Sequence, residues 1–496
     1  MSILHLYKRS YIISKYSITM LPNHIILLLA LLPAIQAAET TLGVFVLHRH
    51  GDRTTKAWAP TKLTDLGYRQ VYAAGKYFRD KYITGSTAVT GVSEDIVVQR
   101  QLNVEAPVDT VLQNSAQAFL QSLYPPVGAT LGTQTLANGT EVQAPMNGYQ
   151  LIPVNIVTSA RNSGMDSENT AWLQGISGCP AAITSSNNYF ISSTYSSLLS
   201  STKAFYQRLN PVINGTFNSE YNTFKNAYSI YDLINVATIN NATIPSEELL
   251  TEDTLFQLRT LADQHEFGLA YNVSDTIRAI AGSTLAAQIL EHLNETIEGK
   301  SATKFGIQFG AYATFLSFFG LAKLSQVSDN FTGIVDYASS MTFELVTEAD
   351  VSSGYPSVDN INVRFLFSNG SAAYAGQQSY PLFGQTETVL PYSTFVAEMQ
   401  KFAVGDVKTW CNVCGVTTGS CAAYAPTGSD AGSGLVDSAA EKTKSSSMSL
   451  PVAGVIGAMV TLAVVLGLQA LVILAGGLKV VSKKRLAAVP SEMAKA

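Results

Sequence analysis

Positive charge is the first thing this chain lacks. Its 31 lysines and arginines are outnumbered by 36 aspartates and glutamates, for a net charge of −5, which leaves no basic surface and argues against a nucleic-acid partner. Cysteine is scarce: Cys179, Cys411, Cys414 and Cys421 are the only four. Zinc could use Cys411-x-x-Cys414, but no histidine stands near the pair, and a structural zinc site needs four ligands. No metal or cofactor is expected. Internal repeats are absent. One stretch, Ser301 to Lys323, contains no His, Asp or Glu and can supply neither a carboxylate nor an imidazole to acid–base chemistry.

What is present begins with a targeting layout. Lys8, Arg9 and Lys15 precede an apolar stretch from Ile25 to Leu32, then Pro33-Ala34-Ile35-Gln36-Ala37. This predicts a signal peptide over 1–37, cleaved after Ala37 or Ala38, with Met20 as an alternative start. A second apolar segment, Val452 to Leu478, carries no charge and is followed by Lys479, Lys483, Lys484 and Arg485. Its length suffices to cross a bilayer, and the basic residues after it place the tail, 479–496, in the cytoplasm. A glycolipid-anchor signal would end in its apolar tail, which this chain does not. The Ser-, Gly-, Ala- and Thr-rich run 425–449 reads as a flexible stalk. The chain is therefore expected in the secretory pathway, at the cell surface or another exoplasmic membrane face, with its ectodomain N-terminal to a single span. Seven Asn-x-Ser/Thr acceptors fit that exterior: Asn138, Asn214, Asn241, Asn272, Asn294, Asn330 and Asn369. An oxidising compartment favours two disulfides with three possible pairings. The pairing expected is Cys414 with Cys421 and Cys179 with Cys411.

The chemistry concentrates in Arg49-His50-Gly51-Asp52-Arg53, directly behind the apolar run Leu42 to Leu47. The run predicts a buried strand, and the cluster falls at its C-terminal end, where open α/β sheets place ligands. Two guanidiniums can hold phosphate oxygens through paired hydrogen bonds, and an imidazole between them is a nitrogen nucleophile that is neutral near pH 7. Gly51 lets backbone approach closely. Thr64 is a good N-cap for a helix through Val71, Phe78 and Tyr82. Helices are also expected from Leu112 to Leu123, Ser246 to Tyr271, Ser274 to Leu293 and Ser393 to Phe402, and strands at 154–157, 305–309, 341–346 and 361–367.

On Arg49, His50, Gly51 and Arg53 the chain resembles the histidine phosphatase superfamily, in its secreted acid phosphatase and phytase branch, whose signature is Arg-His-Gly-x-Arg-x-Pro. Thr55 stands in place of the proline, which should loosen the loop. The Leu63-Thr64-x-x-Gly67-x-x-Gln70 run is similar to the family's first helix, and Ser115-Ala116 and Leu123-Tyr124-Pro125-Pro126 are softer matches. The resemblance covers roughly Thr41 to Cys421. It implies an α/β fold with a three-layer, phosphoglycerate mutase-like arrangement of sheet and flanking helices over 38–186 and 301–424, and an inserted helical cap over 187–300, outside which stands the C-terminal transmembrane helix. It also implies a phosphorylated small molecule as substrate, with His50 as nucleophile and Arg49 and Arg53 binding phosphate. The oligomeric state is not legible.

The family's second signature, a His-Asp pair after a late strand, falls near Tyr312-Ala313, so its proton donor is missing. A third family arginine falls at Thr110 or Val111; Arg100 and Arg161 are candidate substitutes. Asp52 is a candidate proton donor and Tyr312 a candidate phosphate ligand, while His265 and His292 read as structural or exposed. Two functions remain open: a membrane-anchored extracellular acid phosphatase acting through a phosphohistidine, and an anion-binding or scaffold protein without turnover.

Overall fold

A strand buried on both faces organises the molecule. In the computed structural model, which describes residues 39–157, 175–241, 246, 248–299, 303–352 and 354–425, the strands in chain order are β1 (Thr40–Arg49), β2 (Leu102–Pro107), β3 (Thr133–Thr135), β4 (Glu141–Gln143), β5 (Asn155–Val157), β6 (Phe305–Gly310), β7 (Ser340–Thr347), β8 (Ile361–Ser368), β9 (Gln378–Ser379) and β10 (Val389–Pro391). β3 and β4 form a separate ribbon. The main sheet runs β10-β8-β7-β1-β6-β2-β5, with β9 also on β8. β1, β6, β2 and β5 are mutually parallel, whereas β7 and β8 run antiparallel to their neighbours. β1 sits at the change from one half to the other.

Side chains alternate across a strand, and here both faces meet helices. Phe45 and Leu47 pack with the helices Ile280–Glu298 and Tyr312–Leu321. Val44 and Val46 pack with α1 (Asp65–Tyr82) and α2 (Thr110–Leu123). The result is a three-layer α/β sandwich with two apolar cores, and a strand buried on both sides needs the unbroken apolar run seen at 42–47.

His48, on the α1/α2 face, lies among Phe78, Phe119 and Phe309. His292 holds the Val44 carbonyl at 2.9 Å through Nε2. Burial lowers the pKa of each to about 4, so both are neutral structural groups.

Short helices and the longer Ala227–Asn240 and Glu252–Ala270 form the cap, around a core that includes Tyr206, Phe224, Ile230 and Leu258. The block 187–300 is not uniform, because Leu285, Ile289 and Leu293 of its last helix join the core beneath β1. Boundaries follow the caps. The helix expected from Ser246 starts at Glu252, where the Thr251 hydroxyl accepts from Thr254 N at 3.2 Å. The one expected from Ser274 becomes α-helical only at Ile280, after a 3-10 turn.

The disulfides correct the expected pairing: Cys179 joins Cys414, and Cys411 joins Cys421, with Cα separations of 4.6 and 5.5 Å. Cys411 and Cys414 share the helix Val407–Cys414, which the sequence did not suggest. Its C-terminal end packs on Cys179 and Ile280, and the following turn, Gly419–Tyr424, folds back to bring Cys421 to Cys411. The expected signal peptide, transmembrane segment and cytoplasmic tail lie outside the described residues, as does the stalk after Ala425. Among the described residues no helix is long and apolar enough to cross a membrane.

One backbone contact ties the motif loop to α1. A Cβ on Gly51 would lie 2.3 Å from the Gly67 carbonyl oxygen, and one on Gly67 would lie 2.0 Å from that of Asp52. Backbone cannot yield as a flexible side chain can. Gly67→Ala should therefore lower stability by about 1–3 kcal/mol, read as a shift in urea midpoint at unchanged slope. Gly215→Ala, where a Cβ meets nothing within 4 Å, is the control. Equal midpoints for the two variants would refute the contact.

Candidate active site

His50 follows the last residue of β1, and its ring is fixed from the backbone side. Nδ1 lies 2.8 Å from the Gly51 carbonyl. A carbonyl only accepts, so Nδ1 carries the proton and donates it, which leaves the lone pair on Nε2. The loop beneath is held by Gly51 N donating to Ser115 Oγ at 3.3 Å and Asp52 N to Gln70 Oε1 at 2.9 Å. Ser115 and Gln70, both in the matched helices, are supports of the loop.

Arg53 reaches the cap. Its Nη2 donates to Asp232 Oδ1 at 2.9 Å and Tyr228 Oη at 3.1 Å, and its Nη1 to the Thr54 carbonyl at 2.9 Å. Arg53 is 0% exposed and Asp232 3%. The other Asp232 oxygen accepts from Thr55 Oγ1 and Lys56 N, both at 2.8 Å. The expected loosening at Thr55 is therefore corrected. Thr55 keeps a proline-like φ of −62°, and its hydroxyl adds a bond to the cap that proline could not make. Arg49 donates to the Val335 carbonyl and has its guanidinium 4.6 Å from the ring centre of Tyr337 and 5.4 Å from that of Tyr312, within cation–π range.

Several expected roles change. Asp52 does not face the site: its Oδ2 accepts from Thr64 Oγ1 at 2.5 Å and Asn240 Nδ2 at 3.2 Å, so the carboxylate caps structure and is no substitute proton donor. Tyr312 does lie beside Arg49, but its hydroxyl donates to Glu266 Oε2 at 2.7 Å, and burial pushes its pKa well up. Its contribution is the ring face, not a phosphate-binding hydroxyl. Ala313, in the first turn of the helix Tyr312–Leu321 at the same end of the sheet as His50, brings no carboxylate at that position. Arg100 is exposed before the first residue of β2, the opposite end of a strand parallel to β1, so it cannot replace the missing arginine. Arg161 lies outside the described residues. Val111, fully buried, occupies the first turn of α2, capped by Asp109. His265 packs in the cap core with Nδ1 2.8 Å from Glu266 Oε1.

A cavity of about 680 Å³ opens over this end of the sheet, lined among others by Arg49, Arg69, Tyr228, Asp232, Arg259 and Tyr337. Arg259, from the cap, is engaged with Asp263 at 3.1 Å, Asp336 at 2.9 Å and Tyr231 Oη at 2.9 Å. Arg69 is exposed on α1. Asn369, in one of the Asn-x-Ser/Thr triplets, also lines the cavity, and its Oδ1 accepts from Asp336 N at 2.8 Å. Asp232, Tyr228, Arg259 and Tyr337 escaped the sequence reading, since each is brought in by the fold from far along the chain. Only the Arg259/Asp263 spacing of four carried a local signal. Among the described residues no group of His, Cys, Asp or Glu is arranged to hold a metal ion.

The chain is similar to known proteins both in sequence and in fold. Prostatic acid phosphatase of Bos taurus is 25% identical over 346 residues, 66% of this chain and 80% of that protein. The Homo sapiens protein is 25% identical over 320 residues, 62% and 74%. Among solved structures, the apo phytase of Hafnia alvei has a TM-score of 0.50 at 14% identity, covering 76% of this chain and 98% of that one. The Citrobacter braakii phytase has 0.50 at 12%, covering 74% and 98%. At these identities the structural likeness speaks for the fold alone. The model for branch 2 of the histidine phosphatase superfamily matches residues 55–368, more than half of the sequence, and the chain belongs to that family.

Proposed function

We propose that the protein is a phosphomonoester hydrolase of the acid phosphatase kind, acting through His50. The observation that carries this is the His50 imidazole at the end of β1, with Nδ1 locked on the Gly51 carbonyl and two arginines of the same motif beside it. Nε2 attacks phosphorus, the ester P–O bond breaks, and a phosphohistidine forms. Water then attacks phosphorus, the N–P bond breaks, and phosphate leaves. Arg49 and Arg53 stabilise charge spread over the phosphoryl oxygens. The relatives named prostatic acid phosphatase support this reaction class.

Ala313 supplies no proton to the departing oxygen, and general acid catalysis is worth roughly 10²–10⁴-fold. Esters of acidic alcohols, such as aryl phosphates, depend on it least. At acid pH a phosphate monoester monoanion brings its own proton. The same reading places the protein on the exoplasmic face of a membrane, glycosylated and anchored through 452–478. Its support is the sequence layout, the two disulfides, and the exposure of Asn138, Asn214, Asn241, Asn294 and Asn330.

A second reading, anion binding without turnover, draws support from the site's burial and pairing: His50 and Arg53 are 0% exposed, and Arg53 already has a carboxylate partner.

Phosphate release by the glycosylated ectodomain separates the two readings. Wild type should turn over an aryl phosphate faster than an alkyl phosphate, His50→Ala should abolish both, and Ala313→Asp should raise alkyl turnover by roughly 10²-fold or more. Indistinguishable wild-type and His50→Ala rates would leave only the binding reading.

A second outcome follows from the buried ion pair. Asp232→Asn strands the Arg53 charge and should lower stability by about 3 kcal/mol or more. Inorganic phosphate, which can pair with that charge, should raise the melting temperature of the variant more than that of wild type. Equal shifts would mean that Arg53 does not face the anion site.

A further inference from the structure

The three groups that must meet at phosphorus all face one aromatic ring. The Tyr337 ring centre lies 4.6 Å from Arg49 Cζ and 6.0 Å from Arg53 Cζ, and 5.6 Å from the centre of the His50 ring. A phosphoryl group held by both guanidiniums and poised for attack has its oxygens about 3 Å from their nitrogens and its phosphorus about 3–3.5 Å from Nε2. The phenol ring stands at or against that space.

Burial agrees. His50 and Arg53 are 0% exposed and Arg49 4%, although Arg49 and Tyr337 line a cavity large enough for a small ester. Tyr337 itself is only part-buried. A nucleophile with no exposed surface cannot meet a substrate until something moves, and Tyr337 is the residue that both stands against the His50 ring and lines the cavity.

The backbone carrying the ring is pinned to the motif. Ala338 N donates to the His50 carbonyl at 2.8 Å, and Arg49 N donates to the Ser339 carbonyl at 2.8 Å. Ser339 Oγ donates to the Asp336 carbonyl at 2.6 Å and accepts from Gly370 N at 2.7 Å. Ala338 is held in the left-handed region at φ 61°, which a residue with a Cβ adopts only when its surroundings fix it. Movement is thus left to the side-chain torsions of Tyr337.

We propose that Tyr337 is a gate and specificity determinant: its ring closes the anion seat formed by His50, Arg49 and Arg53, and a phosphate or phosphate monoester enters only as the ring turns aside. Turning breaks the cation–π contacts with both arginines. The gate therefore weakens binding of small oxyanions, which offer nothing to the ring in return, and admits esters whose remaining contacts in the cavity compensate.

The proposal takes its substrate from the phosphatase reading, but its test reads binding. Inorganic phosphate is titrated calorimetrically into the full chain, Tyr337→Ala and Tyr337→Phe. Loss of two cation–π contacts that compete with the anion predicts roughly tenfold tighter phosphate binding by Tyr337→Ala, while Tyr337→Phe, which retains the ring, stays well short of that. Carbethoxylation of His50, followed on its own peptide, is expected to be slow in wild type and at least several-fold faster in Tyr337→Ala. Equal phosphate affinity in wild type and Tyr337→Ala overturns the gate. If the alanine variant does not fold, wild type alone decides, since His50 labelling as fast as in an unfolded peptide also overturns it. Tighter binding with no ester turnover in any variant keeps the gate and removes the phosphatase. Turnover that requires His50, with unchanged affinity and labelling in Tyr337→Ala, removes the gate and keeps the phosphatase.

Discussion

The Arg53–Asp232 ion pair is the contact on which the arrangement of loop and cap depends. Taking a guanidinium and a carboxylate out of water costs several kcal/mol for each, and the structure offsets this by giving both groups further partners. Thr55, Lys56, Thr54 and Tyr228 complete the set. The loop that carries His50 thus cannot slide against the helix Ala227–Asn240 without exposing two charges to incomplete pairing. Thr55 turns a departure from the family signature into part of this lock, because the hydroxyl gained in place of proline reaches the cap carboxylate.

How much was legible in the sequence followed the range of the interaction. β1 announced itself because burial on both faces demands an unbroken apolar run, and α1 because Thr64 caps it and its buried residues recur every three or four positions. The position of His50 at a strand end came with them, as did the absence of a carboxylate at Ala313. β2 went unseen: Leu102-Asn103-Val104-Glu105 alternates for too few residues and ends in a proline. Helix starts slipped by several residues where a local cap, Thr251, outweighed apolar periodicity.

The site's partners were illegible for a different reason. Asp232, Arg259 and Tyr337 lie 182, 209 and 287 residues beyond His50 in numbering, and nothing local marks them as neighbours. Disulfide pairing failed in the same way. Two cysteines three apart on one helix each select the partner that packing brings, and Cys179, at the N-terminus of the helix Pro180–Asn187, reaches the helix end rather than its middle. The family signature identifies a chemistry, but the fold decides how much of its charge is available: one guanidinium of the motif is matched by a carboxylate and the other lies across two aromatic rings.

The two buried imidazoles set a lower limit on the pH at which the fold can persist. His48 and His292 each have a pKa near 4 when folded, against about 6.5 in an unfolded chain. Above pH 6.5 both states are neutral and nothing is lost. As pH falls from there toward 4, the unfolded chain takes up protons that the folded one refuses, and each histidine withdraws on the order of 3 kcal/mol of stability. His48 stands on β1 two residues before His50, so the range of acidity in which the Arg49–Arg53 motif keeps its setting is bounded by a ring packed among Phe78, Phe119 and Phe309 rather than by the motif itself.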